Sequence, residues 1–173
     1  MIFLLAFLSF SSPTFAVAAA EAKCDDAGQV YRVCSDQAAA YQAAEQSAQG
    51  AQKNLIVVFG AEWCPWCHSL HRILGEPGIQ KKYEKELALF EVGLYQEREK
   101  SPTGQAVLEK LMGYAGEKNA PKGIPILVVV DPVKRKARFI DTEKLEKNTA
   151  TTKGHDSVKV LKSIKQAAAS LRR

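Results

Sequence analysis

The chain has 173 residues, of which 46% are hydrophobic and 25% charged, with a formal net charge of +5. That length suits one ordinary domain and leaves too little for two, and the composition is that of a globular protein. The basic excess is uneven: residues 121–173 hold 13 Lys+Arg against 5 Asp+Glu, a balance of +8, and the remainder holds 11 against 14, or −3. No aromatic-basic platform accompanies this charge, so no nucleic-acid module is expected, and the basic third reads as a solvated face open to anionic partners or lipid headgroups.

The first twenty residues carry no charge, open with the apolar run MIFLLAFLSF and close on small residues (AVAAAEA) suited to signal-peptidase cleavage. Residues 1–20 are therefore expected to be a signal peptide, lacking the usual positive start, and the mature chain to begin between Ala19 and Lys23. The run is too short to span a bilayer, so no stable membrane anchor is expected. A lipid on Cys24 is disfavoured because Ala-Lys precedes it where small residues are wanted. The expected location is the periplasm, or alternatively outside the cell.

Residues 21–53 form an N-terminal extension, in which DQAAAYQAAEQSAQG reads as a docking helix capped by Asp36 and stopped by Gly50. A single domain is expected over 54–173. NLIVVFG (54–60) is a continuous apolar run, as in a central strand covered on both faces. Helical spacing begins at Pro65, with Leu70, Ile73 and Leu74 on one side, and breaks near Pro77. LALFEVGL (87–94) is the next strand. After the polar stretch YQEREK, Ser101-Pro102 opens a helix to about Met112. IPILVVVDPVKRKARFI reads as two strands joined at DPVK. The last helix is capped by Asp156 or Ser157 and carries Val158, Leu161, Ile164, Ala168 and Leu171 at helical spacing. The order predicts an α/β domain with a mixed sheet.

The chemistry concentrates in FGAEWCPWCHSLH (59–71). Two cysteines three apart with a following histidine fit a redox dithiol, a haem attachment site or half a zinc site. A cysteine placed where a buried strand gives way to a helix sits among unpaired N–H groups at the positive end of the helix dipole, which favours its thiolate. Cys64 is thus read as the exposed nucleophile with a lowered pKa, and Cys67, one turn on, as the residue that resolves the mixed disulfide. Pro65 suits the first helical turn, where its missing N–H costs no hydrogen bond. Trp63 and Trp66 are read as flanking an apolar docking surface, with core filling as the alternative for Trp63.

Cys64-Pro-Trp-Cys67-His68 is also a literal haem c string, with His68 as the axial ligand it would need. Zinc lacks a second pair of ligands, and copper would use the two soft thiolates. A non-enzymatic module that binds copper, haem or a partner therefore stands as the alternative to a redox enzyme; for the enzyme, neither metal nor cofactor is expected. Cys24 and Cys34 are read as a structural bridge pinning the extension, the alternative being a second redox pair. His71 and His155 are read as surface or satisfied residues.

WCPWC after an apolar strand, with GIP (123–125) opening a later one, resembles the thioredoxin superfamily, and most of all bacterial exported thioredoxin-like proteins, over about residues 53–170. The resemblance implies a thioredoxin-like fold and thiol-disulfide exchange with protein disulfide or dithiol substrates and a redox partner protein. It also implies a cis bond before Pro125, with Pro125 beside the dithiol and the Ile124 backbone offered to an extended substrate. Two departures stand out. Val58 occupies the place of thioredoxin's buried aspartate, leaving Glu62 and His68, by proximity alone, as candidates for proton transfer. The segment between Cys67 and Pro125 is also longer, with the surplus expected in residues 95–120.

Overall fold

In a computed structural model, residues 26–147 and 154–173 are described, and the expected signal peptide and Cys24 lie outside them. The elements in chain order are α1 (Gln37–Gly50), β1 (Asn54–Gly60), α2 (Pro65–Gly75), α3 (Pro77–Tyr83), β2 (Leu87–Gly93), β3 (Tyr95–Gln96), β4 (Glu99–Lys100), α4 (Pro102–Ala115), β5 (Ile126–Asp131), β6 (Lys136–Ile140), a 3-10 turn (Glu143–Leu145) and α5 (Ser157–Arg172). The four long strands form one mixed sheet in the order β2-β1-β5-β6. β1 is parallel to β2 and antiparallel to β5, and β6 is antiparallel to β5.

The apolar run of β1 is continuous because both of its faces are covered. Ile56 and Val58 face a core built with Leu70, Leu74, Val160 and Ile164 from α2 and α5. Leu55, Val57 and Phe59 face a second core with Tyr41 of α1 and Val107, Leu108 and Leu111 of α4. Period-two alternation thus sorts one strand into two cores and makes an α/β/α sandwich. The N-terminal helix belongs to this packing, since Tyr41 and Ala48 are buried in the second core.

Local chemistry sets the helix ends. Asp36 accepts from the N–H groups of Ala38 and Ala39, Ser101 from Gly104, and Asp156 from Val158 and Lys159. α4 runs three residues past the expected Met112. Gly116, in the left-handed region at φ 71°, closes it by donating its N–H to the carbonyls of Met112 and Gly113. The polar stretch YQEREK, to which the sequence reading assigns no element, forms the β3-β4 hairpin. On α5 the buried face is Val160, Ile164, Ala167, Ala168 and Leu171, whereas Val158 is 74% exposed. Val158 lies two residues, about 200° of helix rotation, from Val160, so one face cannot bury both; Leu161 is half-buried.

The far end of the edge strand β2 is finished by a side chain. Gln37, 4% exposed, donates from Nε2 to the Gly93 carbonyl (2.7 Å) and to Ser101 Oγ (2.8 Å), and its Oε1 accepts the Gly93 N–H. One amide thus satisfies both backbone polar groups of buried Gly93 as a neighbouring strand would. Gln37→Leu is expected to leave both unpartnered and to lower unfolding free energy by about 2–4 kcal/mol, read as a shift in the urea midpoint.

Candidate functional site

β1 ends at Gly60, and the chain then turns into α2 through Ala61-Glu62-Trp63-Cys64. Cys64 is the residue that caps α2. It keeps extended backbone (φ −93°, ψ 106°), its Sγ accepts from the Cys67 N–H at 3.2 Å, and Pro65 occupies the first helical position. Cys64 and Cys67 are joined as a disulfide with Cα atoms 5.3 Å apart. The helical turn supplies that spacing, because positions i and i+3 lie one above the other.

Cys64, expected to be exposed, is only 4% exposed, and Cys67 is fully buried. As a disulfide, both cysteines belong to the buried core that includes Ile56, Val58 and Leu70. Trp63 is 55% exposed and tilts against Tyr95, with ring centroids 6.2 Å apart, so it is a surface residue and not core filling. Trp66 is half-buried against the core and meets the His155 ring edge-on at 5.5 Å.

The Ile124–Pro125 bond is cis. Phe59 of β1 is paired with Ile126 of β5, so the next residues in that register, Gly60 and Pro125, bring the proline to the strand end from which the dithiol loop departs. Pro125 is buried, and its carbonyl accepts from Thr142 Oγ1 at 2.9 Å. Ile124 is half-buried and packs against both cores.

Glu62 is engaged by the N-terminal segment: its Oε2 accepts from the backbone N–H groups of Val30 and Tyr31, both at 3.2 Å. His68 Nε2 lies 2.6 Å from the Glu62 carbonyl, and its ring sits edge-on to Tyr31. Tyr31, which sequence reasoning missed, donates its hydroxyl to the Cys67 carbonyl at 3.1 Å. It fits because Gly60 has no side chain; a Cβ there would stand 2.5 Å from the Tyr31 ring. Burial, and then the charges of Glu91 and Glu62, push the Tyr31 phenol far above its ordinary value, so it acts as a donor. Cys34 is disulfide-bonded, while Cys24, its expected partner, lies outside the described residues.

Of the two histidines expected to be surface or satisfied, His71 is satisfied and His155 is not. His71 is paired through Nδ1 with Glu91 Oε1 at 2.8 Å. His155 is 7% exposed, with Nδ1 lacking a hydrogen-bond partner, and burial holds its pKa below the ordinary value against the opposing pull of Glu146. The unfolded chain therefore takes up this proton first, so stability is full above about pH 6.5 and declines as pH falls from there through the depressed folded value. His155→Phe is expected to narrow the gap between urea midpoints measured at acidic and neutral pH. An unchanged gap would place the acid sensitivity elsewhere.

The dithiol at the capped start of α2 and the cis proline thus lie at the same end of the paired strands β1 and β5. The family model described as a thioredoxin-like domain covers residues 41–151. The chain belongs to this thioredoxin-like family. Among solved structures it is similar to the DsbD C-terminal domain of Neisseria meningitidis in the oxidised form, with 18% identity over 77% of this chain and 97% of that one and a TM-score of 0.53. It is also similar to a disulphide isomerase from Xylella fastidiosa Temecula1, with 23% identity over 64% and 76% and a TM-score of 0.49. No curated protein matches the chain by sequence. The thioredoxin-like fold and the CxxC disulfide agree with the sequence reading. Among the described residues there is no cluster of three or more His, Cys, Asp or Glu side chains placed to hold a metal, and no helix is long and apolar enough to cross a membrane.

Proposed function

We propose that this thioredoxin-like chain is an exported thiol-disulfide oxidoreductase that exchanges disulfides with protein substrates through Cys64 and Cys67. The observation that carries the reading is the Cys64–Cys67 disulfide at the capped start of α2. There the Cys67 N–H already donates to Cys64 Sγ, and the same donor would stabilise a Cys64 thiolate. The Cys64 thiolate attacks one sulfur of a substrate disulfide, whose S–S bond breaks and whose other sulfur leaves as a thiolate; Cys67 then attacks Cys64 Sγ, the Cys64–Cys67 bond closes, the Cys64–substrate bond breaks and the second substrate sulfur leaves with the electron pair. Exposed Trp63 offers apolar contact beside the dithiol. Pro125 and the Ile124 backbone, brought to the same strand end, line up an extended substrate segment.

The haem alternative would use His68 as its axial ligand, and the His68 ring nitrogen is instead engaged 2.6 Å from the Glu62 carbonyl. Export to the periplasm rests on the uncharged apolar start of the chain. A redox partner protein there would set the direction of exchange.

Trapping tests the reading. With Cys67→Ala, Cys64 is expected to hold protein substrates as mixed disulfides that dithiothreitol releases; the Cys64→Ser/Cys67→Ala double variant should hold none. Equal capture by both would overturn the assignment.

A further inference from the structure

Cys67 is fully buried, and a buried thiol must give up its proton before it can attack. β1, the strand leading to the dithiol, contains no ionisable side chain. The carboxylate nearest in sequence, Glu62, is taken up by the N–H groups of Val30 and Tyr31. The sheet offers another. Glu91 is paired with Val58 in parallel register, and such neighbours point to the same face about 4.8 Å apart. That face is the dithiol face, because Val58 shares a core with Cys64 and Cys67, and Leu87 and Leu89, which alternate with Glu91 along β2, pack into that core too. From the helix side, His71 stands one turn beyond Cys67 and meets Glu91 at 2.8 Å.

Resting on the exchange reading above, we propose that Glu91 is the proton acceptor for Cys67, with His71 as the positioning residue that holds its carboxylate. In the mixed disulfide, Cys67 passes its proton to Glu91 directly or by one water. The Cys67 thiolate then attacks Cys64 Sγ, and the Cys64–Cys67 bond forms. The bond from Cys64 to the substrate breaks, and the substrate sulfur leaves with the electron pair and takes up a proton. The dithiol is oxidised and the substrate disulfide reduced; reversal runs through the same groups.

The groups facing Glu91 are His68 and His71 from α2, Glu62 before it, Tyr31 from the N-terminal segment and Tyr83 from α3. Burial raises the Glu91 carboxyl above its ordinary value more than the His71 hydrogen bond lowers it, which brings it closer to the thiol it serves.

The test is single-turnover reaction of the reduced protein with oxidised glutathione, with formation and resolution of the mixed disulfide followed separately. Glu91→Gln keeps size and a partner for His71, so the fold should persist. Resolution should slow at least about tenfold near neutral pH, and the deficit should shrink toward about pH 9 as hydroxide takes over. Glu91→Asp should lie between, and Val58→Asp added to Glu91→Gln should restore part of the rate by returning an acid to the paired position. Wild-type resolution by Glu91→Gln at every pH would overturn the proposal and leave the exchange reading standing. Failure of the wild-type protein to form any mixed disulfide would overturn the exchange reading instead.

Discussion

A Cys64→Ser variant is expected to reduce insulin-type disulfides no faster than free thiol in the buffer, while Cys67→Ser still captures substrate once and stalls. A serine hydroxyl cannot form or break an S–S bond, so the loss at position 64 is a loss of chemistry. Unfolding does not offer a rival explanation. The bridge closes a very short loop, and the chain-entropy relation gives such a loop only about 2 kcal/mol. The core around it holds many side chains besides the two cysteines, Ile56, Val58, Leu70 and Leu74 among them. Circular dichroism should therefore show a folded variant. Turnover at the native rate by Cys64→Ser would remove the dithiol from the mechanism.

Tyr31→Ala is expected to cost about 3–5 kcal/mol of unfolding free energy, the range for truncating a large buried aromatic. Tyr31 is 1% exposed, and its ring lies over Gly60, which is paired with Gly93 across β1 and β2. Two bare positions side by side open a hollow on the dithiol face. The N-terminal segment fills it, since a Cβ at Gly93 would come within 2.7 Å of the Arg32 carbonyl. Tyr31→Phe keeps the ring and removes only the hydroxyl donated to the Cys67 carbonyl, so it should cost about 0.5–1.5 kcal/mol. The converse change, Gly60→Ala, forces a methyl group against the ring and should cost about 1–3 kcal/mol. In the Tyr31→Ala background that cost should largely vanish, and urea titrations of the four proteins would measure the coupling. Additive effects would mean that the contact over Gly60 does not hold the extension down.

Much of the fold could be read before any coordinates because its signals are local. Asp36, Ser101 and Asp156 cap the helices that follow them, Pro65 and Pro102 sit at first helical positions, and NLIVVFG is β1 to the residue. Each of these depends on a few neighbouring residues whose backbone groups need partners or whose apolar side chains need cover. The dithiol was legible for the same reason, since one helical turn is enough to join positions 64 and 67.

Glu91 carried a signal that was passed over: a lone carboxylate inside LALFEVG, a strand otherwise without charge. Nothing in that strand says which residue will stand beside it. Its meaning came from the parallel pairing with Val58 and from His71 approaching on a helix twenty residues earlier. Tyr31 and His155 are similar cases. One reaches the Cys67 carbonyl from 36 residues away; the other is buried against Trp66 from near the opposite end of the chain.

Sequence alone was sufficient for the helix starts, the bounds of β1, the capped dithiol and the class of fold, because hydrogen-bond satisfaction and hydrophobic period act over one or two turns of chain. Packing of distant segments decided how deep both sulfurs lie, which histidine meets Glu91 beside Val58 and what fills the hollow over Gly60. Those outcomes depend on sheet register and on which helix covers which face, and neither is encoded within any one stretch of residues.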